Sequence, residues 1–125
     1  MSAQHPNIVY LGDVDAGRRL LSAAEPLDWG VFLPAEAFEA LGMVIAYLPD
    51  AVILDLTARP TTAVEVYHHL RTLTGGCPPI IAVTGEADAP GWTDPGRYAL
   101  PRTDAPADLM AAVRTVVERN ESIWE

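Results

Sequence analysis

Asn7-Ile-Val-Tyr-Leu11, Ala51-Val-Ile-Leu-Asp-Leu56 and Pro79-Ile-Ile-Ala-Val-Thr84 are short, nearly unbroken apolar runs. Runs of that length, apolar on both faces, suit strands of a parallel sheet covered by helices on both sides. A shorter run from Trp29 to Leu33 is closed by Pro34, and Arg97-Tyr-Ala-Leu-Pro101 is a weaker fifth. Between the runs, apolar residues return at helical spacing. Leu20, Leu21 and Ala24 recur in a segment from Ala16 to Ala24, which Pro26 stops. Ala37, Phe38, Leu41, Ile45 and Leu48 form a stripe that ends before Pro49 and is expected to face the core. Ala63, Val66, Tyr67, Leu70 and Leu73 share a face between Thr61 and Leu73, and Gly75-Gly76 terminates that helix. Asp104 is expected to cap a last helix, with Pro106 in its first turn and Leu109, Val113, Val116 and Val117 turned inward.

Strands alternating with helices predict an α/β fold with a doubly wound, mainly parallel sheet. The stretch Gly85–Gly96 is the exception. It holds prolines and glycines besides Thr93-Asp94 and no apolar period, so the helix between strands four and five is expected to be degenerate or absent. Residues 1–125 read as a single domain with flexible tails at 1–6 and 120–125.

Composition narrows the function. Asp and Glu number 17 against 8 basic residues, for a formal charge of −9. That balance speaks against a nucleic-acid partner, whose affinity rests on Lys and Arg contacts, and against an anionic membrane surface. All the basic residues are arginine, so a catalytic lysine is excluded. Cys77 is the only cysteine, which excludes an intrachain disulfide. No apolar run reaches the length of a membrane helix, and the N-terminus carries no signal-peptide pattern, so a cytoplasmic location is expected.

In open α/β sheets the ligand site lies beyond the carboxyl ends of the strands. The residues expected there are Gly12, Asp13 and Asp15 after strand one, Asp55 in strand three, Thr84 after strand four and Arg102 after strand five. Asp55, flanked by Ile53, Leu54 and Leu56, is costly to bury unless paired, hydrogen-bonded or metal-bound. An all-oxygen cluster suits Mg²⁺, and a carboxylate beside such a cation, a hydroxyl and a guanidinium can accept a phosphoryl group. A plain ion pair between Asp55 and Arg102 explains the same residues, and spacing alone leaves both open.

Several segments together resemble the receiver domains of two-component response regulators, over nearly the whole chain. Leu11-Gly-Asp-Val-Asp-Ala-Gly-Arg-Arg-Leu-Leu21 is similar to the family's acidic segment and first helix. Pro49-Asp-Ala-Val-Ile-Leu-Asp-Leu56 matches its acceptor strand. Pro79-Ile-Ile-Ala-Val-Thr84 matches the strand that ends in Thr or Ser, and Leu100-Pro-Arg-Thr-Asp-Ala-Pro-Ala-Asp-Leu109 resembles the Leu-Pro-Lys-Pro segment. The resemblance implies a flavodoxin-like sheet of strand order 2-1-3-4-5 and a phospho-acceptor at Asp55. It further implies Mg²⁺ between Asp13 and Asp55, Thr84 binding the phosphoryl group and Arg102 clamping it. A histidine kinase or another signalling protein is the implied partner, with a homodimer as a further state.

The departures are specific. Gly12 stands where the family has the first acid of a pair, Arg102 where it has lysine, and Thr103 where it has proline. Ala99 stands at the switch aromatic, with Tyr98 expected on the opposite face. The turn Thr57-Ala-Arg-Pro-Thr-Thr62 lacks the usual glycine. These losses favour a pseudo-receiver acting through protein–protein interaction over a conventional phospho-acceptor with a weakened Mg²⁺ site. A flavodoxin-like ligand binder ranks far behind, since no Gly-rich phosphate loop follows strand one. His5, His68 and His69 read as surface residues, Tyr47 and Tyr67 as core-edge residues, and Trp92 as a partner contact.

Overall fold

The fold was analysed in a computed structural model, which describes residues 5–73, 78–84, 97–101 and 105–124. Five strands form one parallel sheet: β1 (Asn7–Leu11), β2 (Gly30–Phe32), β3 (Ala51–Asp55), β4 (Ile80–Thr84) and β5 (Arg97–Pro101). Their order is β2-β1-β3-β4-β5, as expected. Among the described residues, four α-helices cover it: α1 (Val14–Ala24), α2 (Ala37–Tyr47), α3 (Pro60–Arg71) and α4 (Pro106–Trp124). The helix continues through residues 120–124, where a flexible tail is expected from the sequence. Gly75, Gly76, Cys77, Gly85–Gly96, Arg102, Thr103 and Asp104 lie outside the described residues, and with them the expectations placed there.

Strand alternation sorts the core into two layers. Ile8, Tyr10, Ile53, Ile81 and Val83 point to the face covered by α1 and α4, where Leu20, Leu109 and Val113 meet them. Val9, Leu11, Val52, Leu54, Ile80 and Ala82 point to the other face, against Ala40 and Val44 of α2 and Ala63, Val66 and Leu70 of α3. Every residue of β3 and β4 is buried, which is why those two strands read as continuous apolar runs. Tyr98 packs on the α1/α4 side while Ala99 is exposed, so the two lie on opposite faces as the alternation requires.

Helix α2 corrects the sequence reading. The residues it buries are Ala40 and Val44, whereas Phe38, Ile45 and Leu48 of the expected core stripe are 88%, 63% and 80% exposed. The helix is apolar on two sides, and small residues go inward because α2 lies close over β1 and against α3. Among the described residues, no helix is long and apolar enough to cross a membrane.

Candidate functional site

Parallel pairing brings the carboxyl ends of β1, β3 and β4 to one edge. Leu11 pairs with Leu54 and Asp55 with Val83, so Gly12 falls beside Asp55, and Thr84 one residue further along its neighbour. Asp55 and Thr84 are the buried polar residues among those described, 4% and 6% exposed.

A buried carboxylate needs donors, and the chain supplies them locally. Asp55 Oδ1 accepts from the Thr57 backbone N–H at 2.9 Å, the Thr57 hydroxyl at 2.5 Å and the Ala58 N–H at 3.2 Å. The Thr57–Ala58 turn, which lacks glycine, thus closes on Asp55 as an Asx turn. The Arg59 N–H donates to the Asp55 carbonyl, and Pro60 opens α3. Asp13 serves as the N-cap of α1, its Oδ2 accepting from the Ala16 N–H at 2.9 Å.

The remaining Asp55 oxygen meets a residue that the sequence reading counted only as strand filling. The Tyr10 hydroxyl lies 3.4 Å from Asp55 Oδ2 and donates to it. Tyr10 is 2% exposed, and two glycines make room for it. A Cβ on Gly12 would stand 2.7 Å from the Tyr10 hydroxyl oxygen and 2.7 Å from Asp55 Cβ. A Cβ on Gly17, inside α1, would stand 3.3 Å from the ring and 2.9 Å from Leu33 Cδ2. Glycine inside a helix costs about 1 kcal/mol against alanine, and the close approach of the Tyr10 ring gives its reason here. A large polar-tipped residue two positions before a glycine, on the same strand face, is the signal the sequence offered.

Burial raises the Tyr10 phenol above its ordinary value of 10.0, with the Asp55 charge, the hydrogen bond to Asp55 and the Asp13 charge adding to it. A raised folded value means that the stabilisation is complete below pH 10 and is lost as pH climbs toward that higher value. Alkaline titration of stability is therefore expected to show an added downward slope above pH 10. In Tyr10→Phe that slope should shrink by up to about 1.4 kcal/mol per pH unit in urea unfolding curves. Identical slopes in the two proteins would rule out this role for the phenol.

A cleft of about 470 Å³ opens at this edge, lined by Tyr10, Gly12, Asp13, Gly17, Arg18 and Arg59 among others. Asp55 is not part of its lining; Tyr10 stands there instead. The arginines that border the described site are thus Arg18 and Arg59, neither of which the sequence reading placed in it. Asp15, also expected at the edge, is exposed in the first turn of α1.

A hard cation requires carboxylate oxygens facing one point. Here the Asp55 oxygens receive four donors, an Asp13 oxygen caps α1, and the Tyr10 hydroxyl occupies the space beside Gly12. Among the described residues, no three His, Cys, Asp or Glu side chains gather as a metal site. This donor set fits Mg²⁺ poorly, because an ion would have to displace the phenol.

No protein-family model matches the chain, and no curated protein matches it in sequence. Solved structures do. A CheY-like response regulator receiver domain from Methanospirillum hungatei JF-1 superposes with a TM-score of 0.74 at 20% identity, covering 94% of this chain and 98% of the other. A two-component response regulator from Clostridium difficile gives 0.72 at 18% identity, over 92% and 98% of the two chains. The chemotaxis response regulator CheY4 of Vibrio cholerae gives 0.71 at 16% identity, over 90% and 98%. The chain has the fold of the response regulator receiver domains.

Proposed function

We propose that the chain is an atypical receiver module that signals through protein–protein contact, without phosphorylation of Asp55 and without bound Mg²⁺. The receiver fold supports a role in signal transduction. The observation that carries the finer reading is the Tyr10 hydroxyl on Asp55, in the space that Gly12 leaves. An acceptor carboxylate must present an oxygen to a phosphorus atom, yet this one is 4% exposed and engaged by donors at both oxygens. A neutral donor also stabilises Asp55 without the cation that would neutralise an incoming phosphoryl group. Thr84, at the end of β4, keeps the position of a phosphoryl ligand in this reading but has no phosphoryl group to hold. The partner is a signalling protein, a histidine kinase or a downstream protein, met in the cytoplasm.

The test is incubation of the whole chain with Mg²⁺ and a small acyl-phosphate donor, read by intact mass beside an ordinary receiver. No mass gain is expected here while the control is labelled. A gain of one phosphoryl group that disappears in Asp55→Asn would overturn the proposal and restore Asp55 as acceptor, with Asp13 and Asp55 holding the ion.

A further inference from the structure

Helix α2 carries more apolar surface than its place in the fold uses. Phe38, Ile45, Tyr47 and Leu48 are 88%, 63%, 52% and 80% exposed, and they follow one another along a single helix. At about 3.6 residues per turn Phe38 and Ile45 share one side of the helix and Tyr47 falls on the other, so large apolar residues stand on both flanks of its outer face, more exposed apolar surface than isolated residues give. Beside them, a groove of about 550 Å³ runs along the helix, with Gly42 and Ala46 in its lining and Phe38 and Tyr47 as its aromatic members. Nothing lies within 4 Å of where a Gly42 Cβ would stand, so another backbone can approach closely there. Tyr47 is held in place by stacking on Phe32, with ring centroids 4.5 Å apart.

The end of the helix adds an independent sign. Leu48 is the C-cap, in the left-handed region at φ 49, a conformation that favours glycine or asparagine. That conformation closes the helix, the Leu48 N–H donating to the Val44 carbonyl at 3.0 Å, and leaves the leucine side chain 80% exposed.

Charge selects the occupant. The helix begins at Glu36 and Glu39, both exposed, and no basic residue lies between Arg19 and Arg59. The groove is lined by both glutamates and by no cation. A second copy docked through the same face would set these glutamates against its own and would bring two chains of net charge −9 together. We propose that the outer face of α2 docks an amphipathic helix of another protein, with apolar anchors at i, i+3, i+4 and i+7 and Lys or Arg facing Glu36 and Glu39. Asp55 is not among the residues that line the groove, and the inference stands whether or not Asp55 is phosphorylated.

The test uses the whole ¹⁵N-labelled chain and a synthetic amphipathic helix of about 18 residues, five turns long. One version carries Lys along its flanks, and a twin carries Glu at the same places. Amide shifts confined to α2 and its caps are expected with the Lys peptide, and binding about tenfold weaker with the Glu twin. Phe38→Ser and Leu48→Asn should each weaken the Lys peptide by about tenfold or more. Neither substitution should lower Tm, because both side chains are exposed. Absence of shifts at α2, equal binding of both peptides, or a large fall in Tm in either variant would overturn the proposal. Self-association of the chain that Phe38→Ser abolishes would also overturn it and assign the face to a second copy.

Discussion

Gly12→Asp is expected to destabilise the fold by about 3 kcal/mol or more, through overpacking and a second buried charge. The new Cβ would stand 2.7 Å from both the Tyr10 oxygen and Asp55 Cβ, closer than nonbonded atoms come. Its carboxylate would then face Asp55 across a buried edge, where like charges repel with little screening. Tyr10→Val in the same chain removes the collision with the phenol and leaves that with Asp55 Cβ, so the double variant should be more stable than Gly12→Asp alone. It should also acquire what the natural chain is expected to lack, a Tm that rises with added Mg²⁺, because facing carboxylates now have no phenol between them. Thermal unfolding with and without MgCl₂ reads all three proteins. A Gly12→Asp variant as stable as the parent would refute the tight fit of Tyr10.

The second large effect is at Asp55. Asp55→Ala takes away the acceptor for the Thr57 N–H, the Thr57 hydroxyl, the Ala58 N–H and the Tyr10 hydroxyl. Thr57 and Ala58 are exposed, so water can take over their donors. The Tyr10 hydroxyl is buried and becomes an orphan, which is the expensive part. The expected loss is about 2–4 kcal/mol in urea unfolding. Asp55→Asn keeps an oxygen for the Asx turn and presents an amide that the Tyr10 oxygen can accept from, at a cost below about 1 kcal/mol. The contrast between the two substitutions is the informative quantity. Equal losses would mean that the carboxylate, rather than its hydrogen-bond pattern, holds the edge.

The elements of the sheet were legible because a doubly wound fold buries its central strands on both faces. Ile53, Leu54, Ile80 and Ile81 therefore stand in unbroken apolar runs with no competing pattern. Asp55 was legible for the opposite reason, as the one charge inside such a run. Helix α2 was misread because periodicity detects an apolar face without saying which of two apolar faces is inside. The large residues Phe38, Ile45 and Leu48 looked like core, while the helix buries only Ala40 and Val44 and packs Ala37, Leu41 and Met43 at the edge of that layer. Tyr10 was missed because within a strand an aromatic ring counts as apolar. Its hydroxyl matters only through Gly12 and Asp55, and the parallel register sets those neighbours.

Tyr10, Gly12 and Gly17 also constrain how this sequence can change. An acid at position 12 collides with the phenol, and a side chain at position 17 presses on its ring and on Leu33. Shrinking Tyr10 first would open a cavity beside the two glycines, a loss of about 3–5 kcal/mol for an aromatic residue. Each single step toward an acidic pair at positions 12 and 13 thus crosses unstable ground, although the combined change need not. The pocket is entrenched: one aromatic ring and the two glycines around it make what is tolerated at positions 10, 12 and 17 depend on all three at once.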